Sequence, residues 1–159
     1  MINRCRDAAA FALSRNGTFA SAGYTPAMSS VLSIAVSGMA AAERRLEVSA
    51  RNVANVSTTG PLDAAPDDVR AAYAALRADQ TETAGGGTAV KVSRTSPATM
   101  AVSDPGSPFA NADGLVAAPA VELSNEAVQQ LVARYSFVAN AAVIRSEDKM
   151  LKSLFDMKI

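Results

Sequence analysis

The sequence predicts a mainly α-helical protein, with long N- and C-terminal helices that pair as a coiled coil around a short insert of strands and turns. Two observations lead to this fold class. Apolar residues recur at helical spacing near both ends of the 159-residue chain, and prolines and glycines interrupt the middle. Alanine supplies much of the 49% hydrophobic fraction, whereas aromatic residues make up only 5%. Small side chains let helices approach closely, so this composition favours helix pairing over a large globular core.

We expect four segments along the chain. Residues 1–27 form a leader, 28–60 an N-terminal helix, 61–120 the strand- and turn-rich middle, and 121–159 a C-terminal helix. The leader carries early basic residues and a short apolar run, which is a weak signal-peptide pattern. An unstructured leader, or a natural start at Met28, fits these residues better. The single cysteine, Cys5, cannot form a disulfide within the chain.

The first helix is expected to begin with Ser29 or Ser30 as its N-cap and to end near Asn55. Its apolar and small residues alternate at spacings of three and four, which is a heptad pattern: Leu32, Ala35, Met39, Ala42, Leu46, Ser49, Val53 and Val56. Gly38 interrupts the helix at a cost of about 1 kcal/mol relative to alanine. We therefore expect another backbone to pass close to Gly38.

The middle segment is punctuated by turn residues. Residues 88–95 alternate apolar and polar side chains, which predicts a strand with one buried face. Residues 71–79 are compatible with a helix or with the first arm of a hairpin that turns at the triple glycine 85–87. Proline, glycine and Asn/Asp clusters predict turns at 104–108 and 111–114.

The last helix is expected to start at Ser124 as N-cap, with Glu126 in its first turn, and to run to about Asp156. Its stripe of mostly apolar residues repeats every eleven residues: Val128, Val132, Tyr135, Ala139, Val143, Ser146, Met150, Leu154 and Met157. An eleven-residue period differs from the heptad of the first helix. We therefore expect the two stripes to face each other along only part of their length.

The charged residues give no sign of catalysis or of a charged ligand. Fifteen basic residues balance fifteen acidic ones, and histidine is absent. Zero net charge predicts no nucleic-acid partner. Without histidine the usual general base near neutral pH is missing, so we expect no enzyme, no catalytic residues, no metal or other cofactor and no small-molecule substrate. No run of eighteen apolar residues occurs, so direct membrane insertion is not expected.

Two segments at opposite ends of the chain resemble the terminal motifs of bacterial flagellar axial proteins, the rod and hook family. Residues 37–60, with the pattern SGM…ARNVANVSTTG, resemble the N-terminal motif. Residues 121–128, 133–141 and 150–154 resemble the C-terminal motif. The short middle and the segment 104–116 are most similar to the proximal rod proteins. After Gly60 the chain departs from the family pattern, because a proline-containing stretch replaces the usual aromatic or basic residue.

The resemblance implies a structural subunit of the flagellar basal-body rod, the drive shaft for motility in the periplasm. Such subunits are exported by the flagellar secretion apparatus and assemble through their terminal helices. The implied partners are copies of the chain and other rod, hook-basal-body and export-gate proteins. The residues we expect to pack between subunits are Leu32, Met39, Leu46, Asn52, Val53, Asn55, Val128, Val132, Tyr135, Ala139, Val143, Met150 and Leu154.

Two alternatives stay open at this point. Asn52 and Asn55 fit a cap at the helix end as well as a hydrogen bond between subunits. The whole chain also fits a soluble coiled-coil adaptor or export chaperone of the same secretion system, which would be stably folded on its own, whereas unassembled rod helices would be poorly protected from amide exchange.

Overall fold

The computed structural model describes residues 26–65 and 68–157, so nearly all of the predicted leader, with Cys5, lies outside the described residues. In chain order the molecule consists of α1 (Pro26–Ala54), β1 (Leu76–Glu82), β2 (Thr88–Arg94), β3 (Thr99–Ser103), β4 (Leu115–Pro119) and α2 (Leu123–Asp156). The predicted order of a helix, a strand-rich middle and a second helix is confirmed. Among the described residues, neither helix combines the length and the apolar character that a membrane span requires.

The two helices pack antiparallel along each other. Gly38 of α1 lies against Asn140 of α2, Arg45 donates a hydrogen bond to Gln129 at 3.1 Å, and the Ser49 hydroxyl donates to the Glu126 carbonyl at 3.2 Å. Positions that rise along α1 therefore meet positions that fall along α2. At about 1.5 Å per residue the helices are roughly 43 Å and 51 Å long.

Both helices begin at residues other than those predicted. α1 starts at Pro26 rather than after Ser29 or Ser30, and proline suits a first helical turn because no N–H is needed there. The N-cap of α2 is Glu122, which is extended (φ −104°, ψ 113°) and makes no side-chain cap. Ser124 is already inside the first turn, and its hydroxyl donates to the Glu122 carboxylate instead. The N-cap prediction for Ser124 is therefore wrong.

The first half of the middle segment is a β-hairpin. β1 and β2 pair antiparallel from Leu76↔Arg94 to Glu82↔Thr88. The connecting turn contains Gly85 and Gly86 with φ of 124° and 81°, values that residues with a Cβ rarely adopt. The hairpin interpretation of residues 71–79 is thus correct for its strand part, and the predicted strand 88–95 is confirmed as β2.

The hairpin lies on α1 beside α2. The Thr88 backbone N–H donates to the Ser37 hydroxyl at 3.1 Å at one end, and the Asn52 side chain donates to the Leu76 carbonyl at 2.8 Å at the other. Between these two contacts α1 buries Ala41 and Val48. The hairpin is therefore held along about four turns of the helix.

β3 and β4 form a second antiparallel pair, joined by the two predicted turns. The Asn111 side-chain oxygen accepts hydrogen bonds from the backbone of Asp113 and Leu115, both at 2.9 Å, which is the local bonding expected of an Asn turn. β4 is buried on both faces around Val116.

Gly60 ties this second sheet to the end of α1. Its backbone exchanges two hydrogen bonds with Ala117 of β4, at 3.1 Å and 2.9 Å. A Cβ at position 60 would lie 2.4 Å from the Arg70 carbonyl oxygen and 2.5 Å from the Ala72 nitrogen. Only glycine fits where these backbone segments cross.

Candidate assembly interface

Asn52 of α1 is the polar centre of the fold. Its residue is only 2% exposed. The Nδ2 group donates to the Leu76 carbonyl oxygen at 2.8 Å and to a Glu126 carboxylate oxygen at 2.7 Å. The Oδ1 atom accepts from the Leu76 backbone N–H at 3.0 Å and from the Tyr73 hydroxyl at 3.1 Å. One amide thus uses both donors and both acceptor positions to join α1, β1 and the first turn of α2.

This full set of bonds changes the interpretation of Asn52. Its side chain has no hydrogen bond left to offer to another subunit, so the bonds of Asn52 within the fold stand in place of the inter-subunit hydrogen bond that was one of its two alternatives. It is not a helix cap either, since its partners lie on other elements. Asn55 behaves as the capping alternative predicts, because its Nδ2 group donates to the Arg51 carbonyl at 2.8 Å in the last turn of α1.

Tyr73 supports the hydrogen bonds around Asn52 as a hydrogen-bond donor. Burial raises the pKa of the Tyr73 phenol, the nearby Arg51 lowers it, and the Glu126 carboxylate raises it further. The net effect is a pKa above the ordinary value of 10.0. At neutral pH the phenol therefore keeps the proton that it donates to Asn52.

The two helices lie close together at Gly38. A Cβ at this position would lie 2.6–2.8 Å from the side-chain amide of Asn140. The expected close neighbour is thus a side chain of α2 rather than a backbone. The Asn140 Nδ2 group donates to the Ser136 carbonyl at 2.8 Å, one turn earlier on its own helix. The glycine makes room for a polar side chain between the helices.

Half of the residues in the row of α2 that faces α1 are polar. Its members are buried or half-buried and recur at spacings of four and three: Glu126, Gln130, Ala133, Phe137, Asn140, Ile144, Glu147 and Leu151. Ala133 is 1% exposed and Glu147 is 4% exposed. We call this set the inner row of α2. Its heptad spacing could not be recognised in the sequence, because half of its residues are polar and interrupt the periodic pattern of apolar residues.

The apolar stripe predicted on α2 lies on a different side of the helix. The following residues of this stripe are all exposed: Val128, Val132, Tyr135, Ala139, Val143, Met150 and Leu154. Tyr135 is 66% exposed. We call this set the outer stripe of α2. The expectation that this stripe faces the stripe of α1 is wrong, because the inner row occupies that contact.

The outer stripe is large for a free surface. Leu131 and Val138, which are also exposed, extend it at one edge. If each side chain exposes about half of its area, the stripe presents on the order of 600 Å² of apolar surface, at the upper end of what a monomer normally shows. Between Glu126 and Arg145 the helix carries a single charged residue, Arg134. These properties are typical of a surface that another protein covers.

The predicted packing residues of α1 divide between the two sides of the helix. Leu32, Met39 and Val53 are half-buried, whereas Leu46 is exposed. The buried members of the heptad pattern are the small residues Ala35, Ala42 and Ser49. A charged cluster on the exposed side joins Glu47 to Arg44 and Arg51, and the hydrogen bond from Arg44 lowers the pKa of the Glu47 carboxyl. Exposed pairs of this kind add little stability.

The described part of the chain contains no group of three or more side chains suited to hold a metal ion. The neighbouring carboxylates of Glu147 and Asp148 lie in different environments, because Glu147 is buried, whereas Asp148 is exposed and accepts a hydrogen bond from Lys152 at 2.7 Å.

Comparison with known proteins identifies the family. The family described as "Flagella basal body rod protein" matches residues 32–61, which span most of α1 and the segment through Gly60. The flagellar basal-body rod protein FlgC of Salmonella typhimurium is 34% identical over 130 residues, which cover 80% of this chain and 96% of that protein. FlgC of Yersinia enterocolitica is 33% identical over 126 residues, covering 78% and 93%. FlgC of Escherichia coli O157:H7 is 33% identical over 130 residues, covering 80% and 96%.

These relatives match over nearly their whole length. The chain therefore belongs to the flagellar basal-body rod protein family and is a structural subunit of the rod in the bacterial flagellum.

Proposed function

We propose that the outer stripe of α2 is the surface by which this subunit joins its neighbours in the rod. The observation that carries the proposal is the division of α2 into two faces. The inner row, which holds the subunit's own fold, contains Glu126, Gln130, Asn140 and Glu147, whereas valine, leucine, tyrosine and methionine point outward. In a protein that functions as a monomer, a surface helix would instead place its apolar residues inward and its polar residues outward.

The size of the stripe is adequate for assembly. Burying about 600 Å² of apolar surface contributes roughly 15 kcal/mol at 25 cal/mol per Å². Association costs about 4–15 kcal/mol in lost translational and rotational freedom. The stripe therefore supports a subunit contact without leaving a large surplus, and contacts to several neighbours add to it.

We also propose that α1 and α2 pair as a coiled coil inside the rod and carry torque along it. The inner row of α2 and the buried residues of α1 both follow heptad spacing, which is what a left-handed coiled coil requires. α2 runs for 34 residues without glycine or proline, so the pair is continuous along its length. The partners are copies of the chain and other rod, hook-basal-body and export-gate proteins, reached after export through the flagellar secretion apparatus.

A polar substitution in the centre of the stripe tests this function. In a strain lacking the gene, we expect Val132→Asp to abolish swimming and to remove the protein from isolated basal bodies, because a carboxylate would be buried without a partner. Arg145→Asp is the matched control, since Arg145 is exposed on the charged side of the same helix. Far-UV circular dichroism of both purified proteins checks that they fold alike.

Normal swimming of the Val132→Asp strain would refute the assignment of the stripe. Absence of the wild-type chain from purified basal bodies would favour the adaptor or chaperone alternative instead.

A further inference from the structure

An apolar groove runs between the two helices beside the outer stripe. It has a volume of about 610 Å³. Its floor and walls include Ala42 and Leu46 of α1 and Leu131, Phe137 and Val138 of α2. Leu131 and Val138 also form the edge of the outer stripe, so the two apolar surfaces are continuous.

The two walls of the groove carry opposite charges. Glu43 lies on the α1 wall and Arg134 on the α2 wall. Both are exposed, and neither forms an ion pair or a side-chain hydrogen bond within the described residues. The acidic side of the groove is thus free to bind a cation that a second protein brings.

We propose that the groove binds the outer stripe of α2 from a second copy of the chain. The inference rests on the function proposed above and adds the surface that receives the stripe. An amphipathic helix that inserts its apolar face into a hydrophobic groove is a common mode of recognition, with anchors spaced by three, four and seven residues. Val128, Val132, Tyr135 and Ala139 have this spacing.

Charge determines the direction in which the incoming helix lies in the groove. Between Val128 and Ala139, the segment that carries these anchors, α2 has no acidic residue, and its only charge is Arg134, which lies beside the edge of the stripe formed by Leu131 and Val138. When the stripe is seated, Arg134 of the incoming helix is attracted to the wall with Glu43 and repelled from the wall with Arg134 of the receiving copy. The charges of the incoming surface therefore fit the groove in one of the two possible directions.

The symmetry of this contact suits a rod. The groove and the stripe are different surfaces of the same molecule, so each subunit offers one and receives the other. Contacts of this heterologous kind generate an open helical series unless the rotation closes a ring. Pairing of two identical stripes would instead produce a closed dimer.

Cross-linking between differently tagged copies tests the contact. Both copies carry Cys5→Ser, one carries Leu46→Cys in the groove and the other Val132→Cys in the stripe, and both are produced as full chains in a strain lacking the gene. In isolated basal bodies we expect a disulfide joining the two tags, at least tenfold above a control pair of Leu46→Cys with Arg145→Cys.

Three outcomes would overturn the inference: a cross-link no stronger than the control, a predominant Val132–Val132 cross-link, or a cross-link from position 46 to a different protein. If the chains are present in basal bodies without the expected disulfide, this inference fails while the proposed function stands. If the wild-type chain is absent from basal bodies, both fail.

A variant that fills the groove gives an independent result should the cysteine pair not assemble. Leu46 is exposed, so Leu46→Trp is compatible with the folded subunit and occupies the space of the incoming helix. We expect Leu46→Trp to fold with unchanged circular dichroism and to reduce recovery in basal bodies at least tenfold. Wild-type recovery of this variant would overturn the inference.

Discussion

Replacing Asn52 with alanine is expected to destabilise the subunit more than any other single loss of a polar side chain. The change removes four hydrogen bonds and leaves their partners behind. The Leu76 N–H and carbonyl belong to the first residue of β1 and cannot turn to water unless the strand moves. Tyr73 and Glu126 are half-buried and can rotate toward solvent.

The magnitude follows from these partners. A buried group left without its hydrogen bond costs about 1–3 kcal/mol, and a bond whose partner regains water costs about 0.5 kcal/mol. Two groups of the first kind, taken near the low end, and two of the second give about 3–4 kcal/mol. For a chain of this size each kcal/mol lowers Tm by about 2–4 °C, so the melting temperature should fall by roughly 6–16 °C.

Urea unfolding followed by far-UV circular dichroism measures the effect. Asn55→Ala is the matched control, because the same substitution three residues later removes one local hydrogen bond, to the Arg51 carbonyl, and should cost about 0.5–1 kcal/mol. If Asn52→Ala loses no more free energy of unfolding than Asn55→Ala, the central role given to Asn52 is refuted.

Three further predictions concern other contacts of the subunit. Gly38→Ala should destabilise the protein despite the higher helix propensity of alanine, because its Cβ meets the Asn140 amide. The double variant with Asn140→Ala should recover most of the lost stability. Additive effects of the two substitutions in urea unfolding would contradict this. Gly60→Ala should cost at least about 2 kcal/mol of stability or prevent folding, because backbone atoms block the new methyl group. Gly106→Ala should be nearly neutral, since its Cβ meets nothing closer than 3.8 Å. Equal melting temperatures for the two variants would show that the backbone crossing at Gly60 tolerates a side chain. The folded-state pKa of Tyr73 is raised above 10.0, so the stability linked to its phenol is fully present below that pH and is lost as pH rises through the folded-state pKa. Tyr73→Phe should remove this part of the loss of stability at alkaline pH. Identical dependence of the free energy of unfolding on pH in the two proteins would be the contrary result.

Local signals in the sequence were sufficient for the elements and their order. The alternation in β2, the glycines of the hairpin turn and the Asn111 turn each depend on neighbouring residues, so their structure could be predicted from the chain alone. The start of α2 could not, because the extended backbone through Glu122 comes from the preceding strand and overrides the capping preference of Ser124.

The organisation of the interface was predicted only in part. The outer stripe was visible because its residues are apolar and periodic. The inner row was not visible, since Asn140 and Glu147 are polar residues of the kind usually found on an exposed helix face. Their burial depends on Gly38 and on the path of α1. The bonds of Asn52 were missed for the same reason: its partners lie 21 to 74 residues away in sequence.

Solvent access to the outer stripe before and after assembly tests the central claim most directly. Ala139→Cys, in a chain carrying Cys5→Ser, places a small thiol in the middle of the stripe, and labelling with a maleimide is compared between the purified subunit and isolated basal bodies. Denatured samples of both give the full labelling signal. We predict rapid labelling of the purified subunit and strong protection in basal bodies. Equal labelling in both states would contradict the assignment of this stripe as the surface that other subunits cover.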